Sequence, residues 1–251
     1  MKRLFSLALT LCLLFLALFA FSSCNESVAA PEAGTLPVHE HTFGEDELIL
    51  PEEDLTGVNV RSVCTSCGEV KESVVPYSET TKEAWQKMLR PVNYSVSISY
   101  AGNEGSYTVT ENGYLMTDSM YGFEQYYVEE DDGWYSVALV DGEYKSHKIA
   151  IVPDLSIGSL IMPGMDDAFD GFENEAWTFE YSEEWHAYVH TRETNKYFFF
   201  IADDTIVKII GFGGDDLDAV TPESEPSEDY SIFIFDFHGY GTTELVVPDY
   251  K

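Results

Sequence analysis

The chain has 251 residues, of which 45 are acidic and only 13 are lysine or arginine, so its formal net charge is −32. This charge excludes most nucleic-acid binders, because affinity for phosphate comes from clustered lysine and arginine. Hydrophobic residues still make up 45% of the chain and aromatic residues 14%, which is too apolar for a disordered acidic polypeptide. The length is sufficient for one good-sized hydrophobic core with a small additional module.

The first 23 residues have the pattern of a secretion signal. Lys2 and Arg3 precede an almost uninterrupted apolar run from Leu4 to Phe21, as in the positive and hydrophobic regions of a signal peptide. The run ends in Phe21-Ser22-Ser23-Cys24, which resembles the lipobox of bacterial lipoproteins. That resemblance implies cleavage before Cys24 and diacylation of its sulfur. A plain signal peptide and an uncleaved membrane anchor are the alternatives, since an apolar run of this length can span a bilayer.

The lipobox resemblance sets the expected location. The lipidated chain would be extracytoplasmic and anchored to the bacterial cell membrane by its acyl chains. Residues 24–37 would be the lipidated cysteine and a small, polar tether. Removal of residues 1–23 takes away two of the few positive charges and no acid, so anionic lipid should repel the protein body and the lipid alone should hold it.

Residues 38–74 contain a candidate metal site. Cys64-Thr65-Ser66-Cys67-Gly68 is a CxxCG turn, which directs two sulfur atoms towards one centre. His39 and His41 lie upstream on a segment expected to be extended, and both imidazoles can approach from one side. Together the two histidines with Cys64 and Cys67 suit tetrahedral Zn²⁺. Four protein ligands would make the site structural, and a structural disulfide or a redox-active cysteine pair are the alternatives.

The same stretch resembles small zinc-ribbon-like segments of secreted bacterial proteins. Those segments begin Cys-x-His, continue with an aromatic residue, and reach arginine and CxxCG further along. The matching residues are His41, Phe43, Arg61 and the CxxCG turn, while His39 stands where those segments have their first cysteine. The resemblance implies a small β-hairpin module, and the flanking sequences predict its strands at residues 58–63 and 69–71.

Residues 77–251 form the predicted main domain. All 16 tyrosines and all four tryptophans lie there, a composition that favours β-sheet. One helix is expected over residues 80–90, with Thr80 and Glu83 as a capping box and Pro91 at its end. Further short helices near residues 155–162 and 165–171 are expected to cross the sheet.

Alternation of apolar and polar residues predicts a run of antiparallel strands in this domain. Asn112-Gly113 predicts a type I′ hairpin, and the acidic stretch from Gly213 to Asp229 predicts an exposed loop. The predicted strands include residues 94–100, 106–111, 124–129, 134–140, 143–149, 177–181, 187–192, 196–202, 205–211, 230–238 and 242–247. The expected fold class is therefore mainly β (α+β), a curved antiparallel sheet or half-barrel with a few short covering helices, preceded by the zinc-ribbon-like module.

This layout resembles the LolA/LppX-like group of lipoprotein and lipid carriers. The resemblance rests on Trp85, on Asn93-Tyr94-Ser95-Val96, and on Tyr240-Gly241-Thr242-Thr243 near the end of the chain. It implies that a concave sheet face holds acyl chains and that the protein has no catalytic residue.

Catalytic motifs are scarce in the sequence, which contains no GxSxG, HExxH or P-loop pattern. The best acid pair is Glu183-Glu184, beside Trp185. We therefore expect a non-enzymatic binding or carrier module for a lipid or another hydrophobic ligand. A protein or glycan interaction module without a cavity is the alternative, and an envelope hydrolase is a weaker one. The sequence does not identify the ligand-binding residues.

Overall fold

The computed structural model describes residues 40–81, 84, 88, 93–119, 122–151, 157, 179–191 and 194–250. Those ranges contain fourteen β-strands. In chain order they are β1 Glu47–Pro51, β2 Gly57–Val63, β3 Val70–Pro76, β4 Tyr94–Tyr100, β5 Asn103–Thr110, β6 Gly113–Asp118, β7 Phe123–Glu130, β8 Gly133–Val140, β9 Glu143–Lys148, β10 Glu180–Ser182, β11 Ala187–Thr191, β12 Asn195–Ala202, β13 Thr205–Gly214 and β14 Tyr230–His238. The predicted segments 1–23 and 24–37 lie outside the described residues.

The strands form two antiparallel sheets, which confirms the predicted mainly β class. One sheet has three strands in the order β1-β2-β3, and the other has eleven in the order β10-β11-β12-β13-β14-β4-β5-β6-β7-β8-β9. The large sheet consists of two meanders joined where β14 pairs with β4. Its edge strands β10 and β9 are not paired with each other, so the described strands form an open sheet and no closed barrel.

Two of the hairpin turns differ in the position of their glycine, and one of them differs from the prediction. Asp141-Gly142 connects β8 to β9 with positive φ at both residues, as a type I′ turn requires. The predicted type I′ turn at Asn112-Gly113 is wrong, because Gly113 pairs with Thr110 and the two-residue loop is Glu111-Asn112. Gly113 is instead the first residue of β6, where a Cβ would lie 2.3 Å from the Tyr127 carbonyl oxygen. Glycine at this position is therefore a steric requirement of the strand pairing.

The predicted strand over residues 242–247 is also wrong, since these residues have no strand structure. The side chain of Asn93 forms the hydrogen bonds to Thr243 that a neighbouring strand would otherwise form. Its Nδ2 donates to the Thr243 carbonyl (3.0 Å), and its Oδ1 accepts from the Thr243 N–H (2.9 Å). Ser95 Oγ lies 3.0 Å from Thr243 Oγ1. The backbone of Thr243 is therefore satisfied by a side chain, together with the bond from its N–H to the Gly239 carbonyl (3.0 Å).

Of the predicted helix over residues 80–90, the structure describes Ala84 and Met88 as helical. Thr81 caps it rather than Thr80, because Thr81 Oγ1 accepts from the Ala84 N–H (3.1 Å). Thr80 Oγ1 instead donates to Asp204 Oδ1 (2.6 Å). Of the two predicted covering helices at 155–162 and 165–171, Ile157 alone is described, in helical conformation, and the rest lies outside the described residues. No described helix is long and apolar enough to cross a membrane.

Residues 41–251 form one compact unit, in which the small sheet packs on one face of the large one. Val58 and Val60 of β2 share a hydrophobic core with Phe198 and Phe200 of β12 and with Phe212. Strand β1 was not predicted, and it turns the expected hairpin into a three-stranded sheet. Farther along the same face, Leu245, Val247 and Tyr250 of the C-terminal segment pack on Tyr126, Val128 and Val137.

The predicted exposed loop of residues 213–229 is exposed only in part. Leu217 and Val220 are buried in the core beneath the small sheet. The loop is held by Lys196, whose Nζ donates to the carbonyl oxygens of Leu217 (3.2 Å), Asp218 (3.3 Å) and Val220 (2.7 Å). Desolvation of this ammonium lowers the pKa of Lys196 from its usual value.

Candidate functional site

The CxxC turn follows β2 directly and closes on itself through backbone hydrogen bonds. The Gly68 N–H donates to the Cys64 carbonyl (2.9 Å), and the Cys64 N–H donates to the Glu69 carbonyl (2.7 Å). Gly68 has φ +75, a conformation that glycine adopts at little cost. The turn therefore places both cysteines on the same side of the chain before β3 begins.

The segment that carries His41 runs alongside this turn. The Thr65 N–H donates to the Thr42 carbonyl (3.0 Å), and the Gly44 N–H donates to the Val63 carbonyl (3.0 Å). Phe43 forms an antiparallel bridge with Cys64. These backbone contacts bring His41 to the cysteines across 22 intervening residues of sequence.

His41, Cys64 and Cys67 form a compact group of metal-binding atoms. One ligand atom from each lies within 4.8 Å of the others, and His41 Nδ1 is 3.5 Å from Cys67 Sγ. Zinc bonds of about 2.0 Å to nitrogen and 2.3 Å to sulfur would separate two ligands of a tetrahedral site by about 3.5 Å. The three side chains are therefore close enough to hold a metal ion.

The predicted ligand set is present in part. His41, Cys64 and Cys67 are brought together, while His39 lies outside the described residues, as does the predicted lipidation site Cys24. Cys64 is buried and Cys67 is exposed, so the site sits at the protein surface with one sulfur facing inward.

No disulfide joins Cys64 and Cys67 in the described part of the chain. The backbone hydrogen bond from Glu69 acts to lower the pKa of Cys67, but desolvation and the neighbouring Cys64 outweigh it and raise that pKa overall. A raised pKa disfavours the reactive thiolate.

The other face of the large sheet is apolar, and we call it the aromatic face. Its fully buried part includes Tyr94, Val96, Phe199 and Phe237, and Met88 and Ile157 pack against it. Strand register continues this face towards β7 through side chains that remain partly exposed: Ile98, Tyr107, Met116, Tyr127 and Phe233. A cavity of about 110 Å³ lies among Ile98, Tyr100, Tyr107 and Met116.

A polar trough lies on the opposite face, alongside the small sheet. It has a volume of about 810 Å³, and its lining combines hydroxyl and carboxylate groups with the apolar side chains of Ile98 and Phe123. Ser106 Oγ and Thr117 Oγ1 are 2.8 Å apart across β5 and β6, and Asp236 Oδ1 pairs with Lys208 Nζ at 3.0 Å. The remaining polar lining residues are Ser97, Ser99, Glu104, Asp118, Ser119 and Glu124. The sequence did not indicate this trough, because it forms only when β14 and β4 become neighbours.

The acid pair Glu183-Glu184 lies in an exposed turn between β10 and β11.

Comparisons with protein-family models, with curated proteins and with solved structures find no match for this chain. The described residues show a mainly β protein. Its His41, Cys64 and Cys67 lie beside the small three-stranded sheet and are close enough to hold a metal ion.

Proposed function

We propose that this protein is a membrane-anchored extracytoplasmic lipoprotein that binds or carries a lipid or another hydrophobic ligand on the aromatic face. The observation that carries the proposal is the partly exposed apolar strip of that face, which continues the buried core across several strands. The LolA/LppX-like resemblance of the sequence points to the same use of one sheet face. The protein then acts by binding and not by catalysis.

The physical basis is the cost of leaving this strip in water. Burial of apolar surface contributes roughly 25 cal/mol per Å², so an acyl chain laid along Tyr107, Met116 and Tyr127 gains affinity without any charged contact. Tyr114 and Tyr127 stack with ring centroids 4.6 Å apart, which makes a flat, rigid surface. Met116 adds an adaptable side chain that fits ligands of different shape.

The metal group has a structural role in this proposal. Zn²⁺ held by His41, Cys64, Cys67 and the predicted His39 would tie the segment before β1 to the turn between β2 and β3. That tie stabilises the small sheet, which in turn covers the hydrophobic core around Phe198 and Phe200. The alkyl chains on Cys24 would supply membrane attachment, since the acidic body has no affinity for anionic lipid.

Titration with a fluorescent long-chain fatty acid tests this function. We expect the wild type to bind the probe and unlabelled fatty acid to displace it. Met116→Glu should weaken binding by at least about tenfold, because a carboxylate would have to be desolvated beneath the acyl chain. Leu139→Glu is the matched control, because it adds the same charge at an exposed position on the opposite face.

The proposal fails if the wild type does not bind the probe. It also fails if a folded Met116→Glu variant binds as tightly as the wild type. Circular dichroism of each variant distinguishes lost binding from lost fold.

A second candidate function is recognition of an envelope glycan in the polar trough. Its hydroxyl rows and carboxylates provide the hydrogen-bond donors and acceptors that sugars require, and the volume of about 810 Å³ suits a short oligosaccharide. The same titration series tests this candidate. It is favoured if the wild type binds a soluble glycan fragment and does not bind the fatty acid.

A further inference from the structure

The two ring nitrogens of His41 face different partners. Nδ1 lies 3.5 Å from Cys67 Sγ, and Nε2 lies 3.3 Å from Glu69 Oε2. Nδ1 is therefore on the cysteine side of the ring and Nε2 on the carboxylate side. No sequence motif assigned Glu69 a role, because the motif ends at the glycine before it.

A metal-binding histidine usually donates its second N–H to a carboxylate or a carbonyl. This hydrogen bond fixes which nitrogen carries the proton and leaves the other free to bind the metal. It also makes the imidazole a stronger ligand, because the carboxylate favours positive charge on the ring. The distances around His41 match this arrangement.

Other contacts hold both partners in place. The His41 ring stacks on Phe43 with centroids 5.9 Å apart and an interplanar angle of 20°. Lys71 lies on β3, and its Nζ is 5.8 Å from the centroid of the Phe43 ring. The backbone of Glu69 is fixed by the hydrogen bond from the Cys64 N–H, so its side chain starts from a defined point in the turn.

We propose that Glu69 is a positioning residue which orients His41 so that Nδ1, and not Nε2, binds the metal. The inference rests on the proposed zinc site and adds to it the ligand atom and its supporting group. The Glu69 and His41 side chains are 58% and 37% exposed, so their pairing alone contributes little to folding stability. Its effect should appear in metal affinity.

Competition titration of the full chain with Co²⁺ and Zn²⁺ tests the proposal. We expect Glu69→Ala to weaken metal affinity by about 10–100-fold, the usual effect of removing such a partner. Glu69→Gln keeps an acceptor oxygen and should lose less. Glu72→Ala is the matched control, because Glu72 is an exposed acid on β3, three residues after Glu69, and its partner across the strands is Arg61.

Long-range ¹H–¹⁵N correlation spectra of the zinc-loaded protein give a readout that a merely structural role would not change. The wild type should show a protonated Nε2 and a metal-bound Nδ1 on His41, and Glu69→Ala should show faster exchange of the Nε2 proton. Equal affinities of wild type and Glu69→Ala, or a metal-bound Nε2, would overturn the role of Glu69 and leave the zinc site standing. Absence of metal binding by the wild type would overturn both.

Discussion

We expect the Cys64→Ser variant to bind no zinc, whereas the wild type binds one ion per chain. Cys64 is buried at the centre of the group, and serine replaces its thiolate with a hydroxyl that stays protonated and binds Zn²⁺ weakly. At a free zinc concentration about 1,000 times the dissociation constant, binding stabilises a folded protein by about 4 kcal/mol. The wild type should gain that stability and Cys64→Ser should not, as measured by metal content and by thermal unfolding.

Thr65→Ser is the control for this variant, because it changes the neighbouring residue and keeps the hydroxyl that donates to the Thr42 carbonyl. It should bind zinc like the wild type. A chelator should destabilise the wild type and leave Cys64→Ser unaffected. If a reducing agent rather than a chelator destabilises the wild type, the cysteines form a disulfide and the zinc site is refuted.

Phe200→Ala is expected to lower the free energy of unfolding by about 3–5 kcal/mol, the usual cost of removing a buried phenylalanine ring. Phe200 is fully buried on β12, and its ring centroid lies 4.9 Å from that of Tyr77. Val58 and Val60 of the small sheet belong to the same core. Urea unfolding should therefore show one cooperative transition that moves to lower urea concentration in the variant.

Val246→Ala serves as the control in that experiment, since Val246 is 80% exposed and its truncation should change stability by less than about 0.5 kcal/mol. A shared core between the two sheets would be contradicted by a wild type that unfolds in two separate transitions. In that case Phe200→Ala would shift only the transition that belongs to the large sheet.

Strands with strict alternation were predicted well. Both β4 and β14 have the bounds expected from their sequences. In β4 the buried side chains Tyr94 and Val96 lie on one face, and a shift of one residue would move them to the other. Their pairing with each other was not predicted. It joins segments from opposite ends of the main domain, and local periodicity carries no information about which strands become neighbours.

The wrong predictions share one physical cause, which is tertiary contact. Residues 242–247 have a strand-like sequence, but the backbone of Thr243 is hydrogen-bonded to the amide of Asn93 and no strand forms. Strand β1 is short and ends at Pro51, so its sequence gives a weak signal, yet it pairs with β2 once that strand is in place. Leu217 and Val220 lie in an acidic stretch and are buried because Lys196 holds their carbonyl groups.

The candidate metal site was largely predictable, because a CxxC turn fixes two ligands through local geometry alone. His41 was predicted from its spacing and is confirmed as a neighbour of the cysteines. The role of Glu69 could not be predicted, since it depends on which nitrogen of His41 faces the sulfur atoms. The contact between His41 Nε2 and Glu69 Oε2 appears only in the folded chain, and no sequence motif indicates it.

The two faces of the large sheet explain how an acidic protein could hold a hydrophobic ligand. One face is covered by the small sheet and by the C-terminal segment, and between them lies the polar trough. The other face carries the aromatic strip. Acidic loops keep such a sheet soluble and discourage pairing between edge strands, so the apolar strip can serve binding without causing aggregation.

Native mass spectrometry of the full chain, extracted from bacterial membranes in mild detergent, tests the proposed binding function most directly. We expect the wild type to carry a bound hydrophobic molecule that organic solvent removes and that denaturing spectra lack. Met116→Glu should lose this molecule and Leu139→Glu should retain it. Wild-type spectra from several independent preparations that show only the processed polypeptide and its metal would contradict the proposed binding function.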